Sequence, residues 1–181
     1  KEIASNLCFG GHQKVYTHYS ELCKCEMTFG IFLPSNTSQE PTPVIWYLSG
    51  LTCTHENAMV KSSAQQWASK NQVALIFPDT SPRGVTVPDD ENYDLGQGAS
   101  FYVDCVSAPW AENFQMWSYI NVELPDLLFE NLPLDKEKQS IMGHSMGGLG
   151  ALNLAIRNPT TFKSVSAFAP ITNPTTSEWG R

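Results

Sequence analysis

An α/β architecture with a mostly parallel central sheet flanked by helices is what the 181-residue sequence predicts, on three observations. Two unbroken apolar runs, VIWYL at 44–48 and VALIFP at 73–78, have the character of strands covered on both faces. Between and after them lie segments whose apolar residues recur at helical spacing. A third stretch, SIMGHSMGGLGALNLAI at 140–156, reads as strand, glycine-hinged turn and helix in direct succession. Strands alternating with helices call for parallel pairing and right-handed crossovers. With no internal repeat or linker, residues 1–181 are expected to form a single domain.

Taken in chain order, residues 26–33 alternate Met27, Phe29, Ile31 and Leu33 with smaller or polar neighbours, a half-buried strand that Pro34 ends. A polar loop leads to the strand at 44–48, and SGLTCTHEN then turns the chain. Residues 58–70 are expected to form one helix, with Met59, Ser63, Trp67 and Ala68 near one another on its surface. After the strand at 73–78 comes a long loop, 79–100, rich in Gly, Pro and Asp, of a length that in compact domains is usually functional; it is expected to cover a site. Residues 116–132 carry an apolar stripe through Met116, Ile120, Leu124, Leu127 and Leu128 and read as a helix kinked or restarted at Pro125. A short strand at 139–142, a helix at 148–158 stopped by Asn158-Pro159, and a strand at 164–170 complete the series.

Composition narrows the function. Apolar residues make up 41% of the chain, as in ordinary globular proteins, and 18 acidic against 11 basic residues give a net charge of -7. That balance, without a Lys/Arg cluster, argues against nucleic acid and acidic membranes as partners. No run approaches 18 apolar residues and no secretory leader is evident, so a cytoplasmic location is expected. Five cysteines, Cys8, Cys23, Cys25, Cys53 and Cys105, are an odd number without repeated spacing, which argues against a disulfide framework. The Cys23-Lys24-Cys25 pair lacks a second pair or a histidine at zinc-ligand spacing, and neither metal nor cofactor is expected.

The pentapeptide GHSMG, Gly143 to Gly147, fits G-x-S-x-G, the tight strand-to-helix turn that lifts a serine above a sheet edge. Side chains two residues either side of Ser145 would collide across such a turn, and the serine itself is expected in a strained backbone conformation. The helix start offers the Met146 N–H to developing negative charge. A second donor is expected from the loop after an earlier central strand: in YLSGLTC, Gly50 permits close approach and the Leu51 N–H is the candidate. Taken singly, each motif is also compatible with an ordinary glycine-rich turn.

A serine so presented needs a histidine. The four available are His12, His18, His55 and His144. His144 precedes Ser145 on an extended strand end, where neighbours point to opposite sides, and His55 lies in the loop that carries Leu51. In this kind of site the order is Ser, then Asp or Glu, then His, yet the residues after Ser145 contain no histidine and one acid, Glu178. The expectation is that the chain stops short of the other two members.

Together, CFGGHQKVY, YLSGLTCT, PDTSPRG, GASFYVD, GHSMGGLGAL and SAFAPI resemble the S-formylglutathione hydrolase (esterase D) family, over nearly the whole chain. The resemblance implies an α/β-hydrolase fold incomplete at the C-terminus, a thioesterase that splits S-formylglutathione into glutathione and formate in formaldehyde detoxification, and a homodimer. It matches Ser145 to the nucleophile and the Leu51 and Met146 amides to the oxyanion hole. Cys53 matches a cysteine near the active site, where a small buried hydrophobe is an equal reading, and Trp179 resembles a tryptophan near the acyl pocket. Trp179 and Met146 are candidate walls for a pocket sized to a formyl group, with Gly50, Cys53 and Trp179 as substrate-binding positions. Arg83 and Lys61 are weak candidates for the anionic glutathione, each more simply a solvated surface cation. Two other functions stay open at this stage: a general carboxylesterase or acyltransferase using the same serine, and a non-catalytic interaction domain.

Overall fold

A computed structural model describes residues 1–35 and 40–176. Seven strands, β1 (Glu2–Cys8), β2 (Gly11–Ser20), β3 (Cys25–Leu33), β4 (Thr42–Leu48), β5 (Ala74–Pro78), β6 (Leu134–His144) and β7 (Phe162–Phe168), form one sheet in the order β1-β2-β3-β5-β4-β6-β7. β5, β4, β6 and β7 run parallel, as the alternating pattern requires. β1, β2 and β3 extend the sheet antiparallel from β5.

β1 and β2 form a hairpin that was not legible in the sequence pattern: β2 alternates in burial, but the positions it buries first are Gly11, Gln13 and Val15, two of them without an apolar side chain. β1 is the sheet's edge, exposed along most of its length, so burial imposes no clean alternation. The hairpin is set instead by its turn. Phe9 and Gly10 both adopt positive φ, +46° and +78°, with Cys8 paired to Gly11, which is the two-residue geometry whose twist suits flanking strands.

The helix expected at 58–70 is two helices, α1 (His55–Lys61) and α2 (Ala64–Asn71). Ser63 between them takes φ +53°, and the Ser62 hydroxyl accepts from the Ala64 N–H, so two serines offer the backbone a local alternative to continuing the helix. The break puts α2 out of phase with α1. Gln65 and Ala68 face the sheet, while Trp67 lies 64% exposed with the Lys70 ammonium over its ring. Thr54 caps α1 and exchanges bonds with Asn57 in a capping box.

Residues 116–132 do restart at Pro125. A short helical turn, α3 (Met116–Ser118), widens into a π turn (Tyr119–Glu123) before α4 (Leu124–Asn131). Proline lacks an N–H and crowds the carbonyl four residues back, and the wider turn relieves both defects. The helix α5 (Met146–Arg157) starts directly after β6, which is longer than the four residues expected.

Helices cover both faces of the sheet. α1 and α2 close one face over Phe32, Leu75 and Phe77, while α3, α4 and α5 bury the larger core around Trp46, Ile76, Tyr119, Leu124 and Leu154. Inside that core the Trp46 indole donates to Gln139 Oε1 at 2.9 Å, tying β4 to β6. From β4 the chain moves to β5 on one side, then crosses back to β6 on the other. The reversal opens a crevice between the carboxyl ends of β4 and β6, where parallel α/β sheets bind ligands.

Candidate active site

β4 and β6 are in register, Leu48 beside Gly143, so the chain leaves both strands at the same level. β4 delivers the loop Ser49-Gly50-Leu51-Thr52-Cys53, and β6 delivers Ser145. The serine stands between β6 and α5 at φ +57° and ψ -119°, a region that costs a non-glycine residue about 1–3 kcal/mol. Its N–H donates to Phe168 O at 2.9 Å and its carbonyl accepts from Leu149 at 3.1 Å, so β7 and α5 together hold the bend.

Two glycines make the bend possible by letting backbones touch. A Cβ on Gly143 would lie 2.1 Å from Gly147 O, and one on Gly147 would lie 2.0 Å from Leu48 O. Strand, turn and helix are packed main chain to main chain, and the loop after β4 is pressed against the same helix start. A Cβ on Gly50 would sit 3.4 Å from Ser145 Cβ, which measures how closely that loop approaches the serine.

Of the two amides expected to face an oxyanion, Met146 N–H is the first of α5, and Leu51 N–H follows Gly50. Among the described residues neither has a protein acceptor. The Met146 side chain is fully buried in the core, its sulfur accepting from the Phe101 N–H at 3.3 Å, so it packs there rather than forming the pocket wall the sequence suggested. Leu51 and Cys53 are half-buried. A cleft of about 200 Å³ opens beside the turn, lined by Gly50, Cys53, Asn57, Lys61 and His144. Lys61 brings a cation to it that has no acidic partner among the described residues. Trp179, the expected acyl-pocket wall, lies outside the described residues.

No histidine bonds to the Ser145 hydroxyl among the described residues. His144 is exposed, on the strand end next to Gly50. His55 begins α1 half-buried, its Nδ1 enclosed without a hydrogen-bond partner, and burial lowers its pKa below the ordinary histidine value. His18 is committed to Tyr119, ring stacked on ring and Nε2 2.9 Å from the phenol oxygen. It lies on β2, four strand spacings from β6, on the order of 19 Å away.

Arg83 is not the solvated cation the sequence suggested. Its Nε donates to Asp79 Oδ1 at 3.0 Å and its Nη2 to Cys53 O at 2.7 Å. Asp79, at the end of β5, is 5% exposed. Burial pushes its carboxyl above the ordinary range, and the Arg83 guanidinium and the Thr80 N–H pull it back. The two ends of the 79–100 loop are therefore bonded to the loop after β4, with Asp79, Thr80, Ser81, Ala99 and Ser100 buried and the middle of 79–100 exposed. PDTSPRG held the signal for this, a charged pair spaced i,i+4 immediately after a buried strand.

The cysteines divide. Cys23 and Cys25 are buried, and burial pushes the Cys23 thiol up to about 12, which makes it an inert core residue. All five cysteines are free. No helix among the described residues is long and apolar enough to cross a membrane.

Comparison with known proteins gives the site its context. A family model described as "Putative esterase" matches residues 20–181. A curated S-formylglutathione hydrolase of Paracoccus denitrificans (strain Pd 1222) is 58% identical over 179 residues, covering 99% of this chain and 64% of the relative. The solved structure of an S-formylglutathione hydrolase from Agrobacterium tumefaciens superposes with a TM-score of 0.96 at 49% identity, covering 99% of this chain and 65% of the other. A Staphylococcus aureus fluorophosphonate-binding serine hydrolase shares the fold at 20% identity and a TM-score of 0.75, covering 93% of this chain and 62% of the other. The chain thus spans a little under two thirds of the first two relatives' length.

Proposed function

The chain belongs to the esterase family and carries its α/β-hydrolase fold, and from that footing we propose that the intact protein is a serine thioesterase hydrolysing S-formylglutathione to glutathione and formate. The observation that carries this is the backbone of Ser145, held at φ +57° on a turn against which the Gly50 loop is pressed. The two similar S-formylglutathione hydrolases support the choice of thioester.

In the proposed reaction Ser145 Oγ attacks the formyl carbon, its proton passing to a general base, and the carbonyl oxygen gathers charge facing the Leu51 and Met146 N–H groups. The C–S bond then breaks and glutathione leaves as thiolate, which takes a proton. A thiol of pKa about 8.5 is a far better leaving group than an alcohol or amine, so the demand falls on attack and on oxyanion stabilisation. Water next attacks the formyl-serine ester, releasing formate and restoring the hydroxyl. The base and its acid are proposed to come from outside residues 1–181, since His55 is enclosed and His144 is exposed on the strand end. Cys53 and Trp179 remain proposed substrate-binding positions, and Lys61, in the cleft beside Gly50, is the cation better placed for a glutathione carboxylate. The protein is proposed to be a cytoplasmic homodimer.

The test is fluorophosphonate labelling together with a substrate panel on the intact protein. Labelling is expected to vanish in Ser145→Ala, and S-formylglutathione is expected to be turned over with higher kcat/KM than short aryl esters. Labelling that survives in the variant would refute the nucleophile, and a preference for aryl esters would make the protein a general carboxylesterase.

A further inference from the structure

We propose that Arg83, locked to Asp79, is a positioning residue that holds the Leu51 amide in place as an oxyanion donor. This role rests on the proposed function of Ser145 and Leu51. Between β4 and α1 the loop that carries Leu51 is a single turn, with Leu51 and Thr52 at its centre and Cys53 N–H donating to Gly50 O at 3.3 Å. That turn is tied to the rest of the fold by bonds on either side of Leu51 that come from the segment 80–102. Before it, the buried Tyr102 hydroxyl donates to Ser49 O at 2.9 Å. After it, Thr52 N–H donates to Gly98 O at 3.0 Å, and Cys53 O accepts from both Arg83 Nη2 and the Thr80 hydroxyl.

Arg83 is the charged member of this set, and its geometry explains the residue type. One rigid planar guanidinium spans two partners, Asp79 through Nε and Cys53 O through Nη2, with Nη2 also 3.3 Å from Thr80 Oγ1. An ammonium on a flexible stem cannot hold two such directions at once. Asp79 is anchored in turn by the Thr80 N–H at 2.6 Å and sits at the end of β5, so the clamp transmits the rigidity of the sheet to the loop. Thr52 stands at φ +64°, a conformation that a non-glycine residue keeps only when its surroundings enforce it. Gly98 is part of that enforcement, since a Cβ there would lie 3.1 Å from Thr52 Cα and 3.4 Å from Arg83 Nη2.

The role separates from simple stability by its kinetics. With the clamp gone the substrate still binds, but the donor is no longer held where charge develops. In Arg83→Ala of the intact protein, kcat for S-formylglutathione is expected to fall about 10- to 100-fold with KM within about twofold, short of the 10²–10³ that losing a donor outright costs. Guanidinium at a few tens of millimolar, well below denaturing concentrations, is expected to restore at least fivefold of that loss. Arg83→Lys, which keeps the charge without the fork, is expected to fold and to show the same kcat-selective loss. A kcat within threefold of wild type in both variants would overturn the role. So would losses in step with a lowered Tm and no rescue by guanidinium. If wild type and Ser145→Ala turn over S-formylglutathione equally, the reading of Ser145 fails instead, which the Arg83 variants alone could not show.

Discussion

Replacing Gly147 with alanine sets two effects of opposite sign against each other. Gly147 is the second residue of α5, and in an ordinary helix a glycine-to-alanine change gains about 0.5–1 kcal/mol from backbone entropy. Here the new Cβ would stand 2.0 Å from Leu48 O and 2.6 Å from Ser49 O. Carbon and oxygen approach without strain to about 3.3 Å, so the end of β4 and the start of α5 must separate by about 1 Å. Overpacking of this kind costs about 1–3 kcal/mol, enough to reverse the propensity gain. The larger effect is on chemistry. The displaced carbonyls belong to the two residues preceding Gly50, and catalytic groups tolerate about 0.5 Å of error. Movement of twice that removes most of the value of one oxyanion donor, about 2.7–4 kcal/mol or 10²–10³ in kcat. Gly147→Ala is therefore expected to label with fluorophosphonate at least tenfold more slowly and to melt lower than wild type. Gly148→Ala, whose Cβ would lie 3.1 Å from Phe168 O, should show a milder form of both. Labelling at the wild-type rate with an unchanged or raised Tm in Gly147→Ala would refute main-chain contact as the reason for this glycine.

Three further outcomes follow from particular atoms. Tyr102→Phe removes the hydroxyl that satisfies Ser49 O in a fully buried position and should cost about 1–3 kcal/mol, read as a Tm lowered by roughly 2–4 °C for each kcal/mol; an unchanged melt would mean that the carbonyl is satisfied otherwise. Ser145→Gly should be inactive yet more stable than Ser145→Ala, by about 1 kcal/mol, because glycine takes φ +57° without strain while alanine does not; equal melting points would show that the turn stores no strain. Burial lowers the His18 pKa, so the folded state binds fewer protons there than the unfolded state does, and stability is lost as pH falls below about 6.5. Asp79, with its carboxyl raised by burial, acts in the opposite sense, so the readout is the difference in Tm between wild type and His18→Gln from pH 7.5 to 5, which should show the flatter curve in the variant.

Legibility in the sequence tracked how local each constraint is. The turn at Ser145 could be read because its strand, glycines and helix are contiguous, and the collisions at Gly143 and Gly147 involve residues 143–148 and one neighbouring strand. The break at Ser62-Ser63 was hidden because apolar spacing on either side imitates a single helix, and only the αL conformation of Ser63 shifts the phase. β1 escaped because an edge strand is buried too little to imprint a period of two, and β2 because its alternating buried positions, Gly11, Gln13 and Val15, include two without an apolar side chain. The Asp79–Arg83 clamp was misread for a different reason. An arginine in a loop rich in Gly, Pro and Asp looks solvated until the fold sets Cys53 O against it, thirty positions earlier in the chain.

The topology supports the proposed oxyanion hole, in which two separate loops give one donor each. Donors 2.7–3.1 Å from a single oxygen, approaching from roughly tetrahedral directions, stand about 5 Å apart. Neighbouring strands of a sheet lie about 4.8 Å apart. β4 and β6 are neighbours and in register, so the residues that leave them are delivered at nearly the spacing that two donors need. A serine turn one strand further along, after β7, would set the donors about 10 Å from each other, too far to share an oxygen. The sheet order fixes which pair of loops can act together; the glycines at 50, 143 and 147 and the bonds from 80–102 then remove the remaining ångström of freedom.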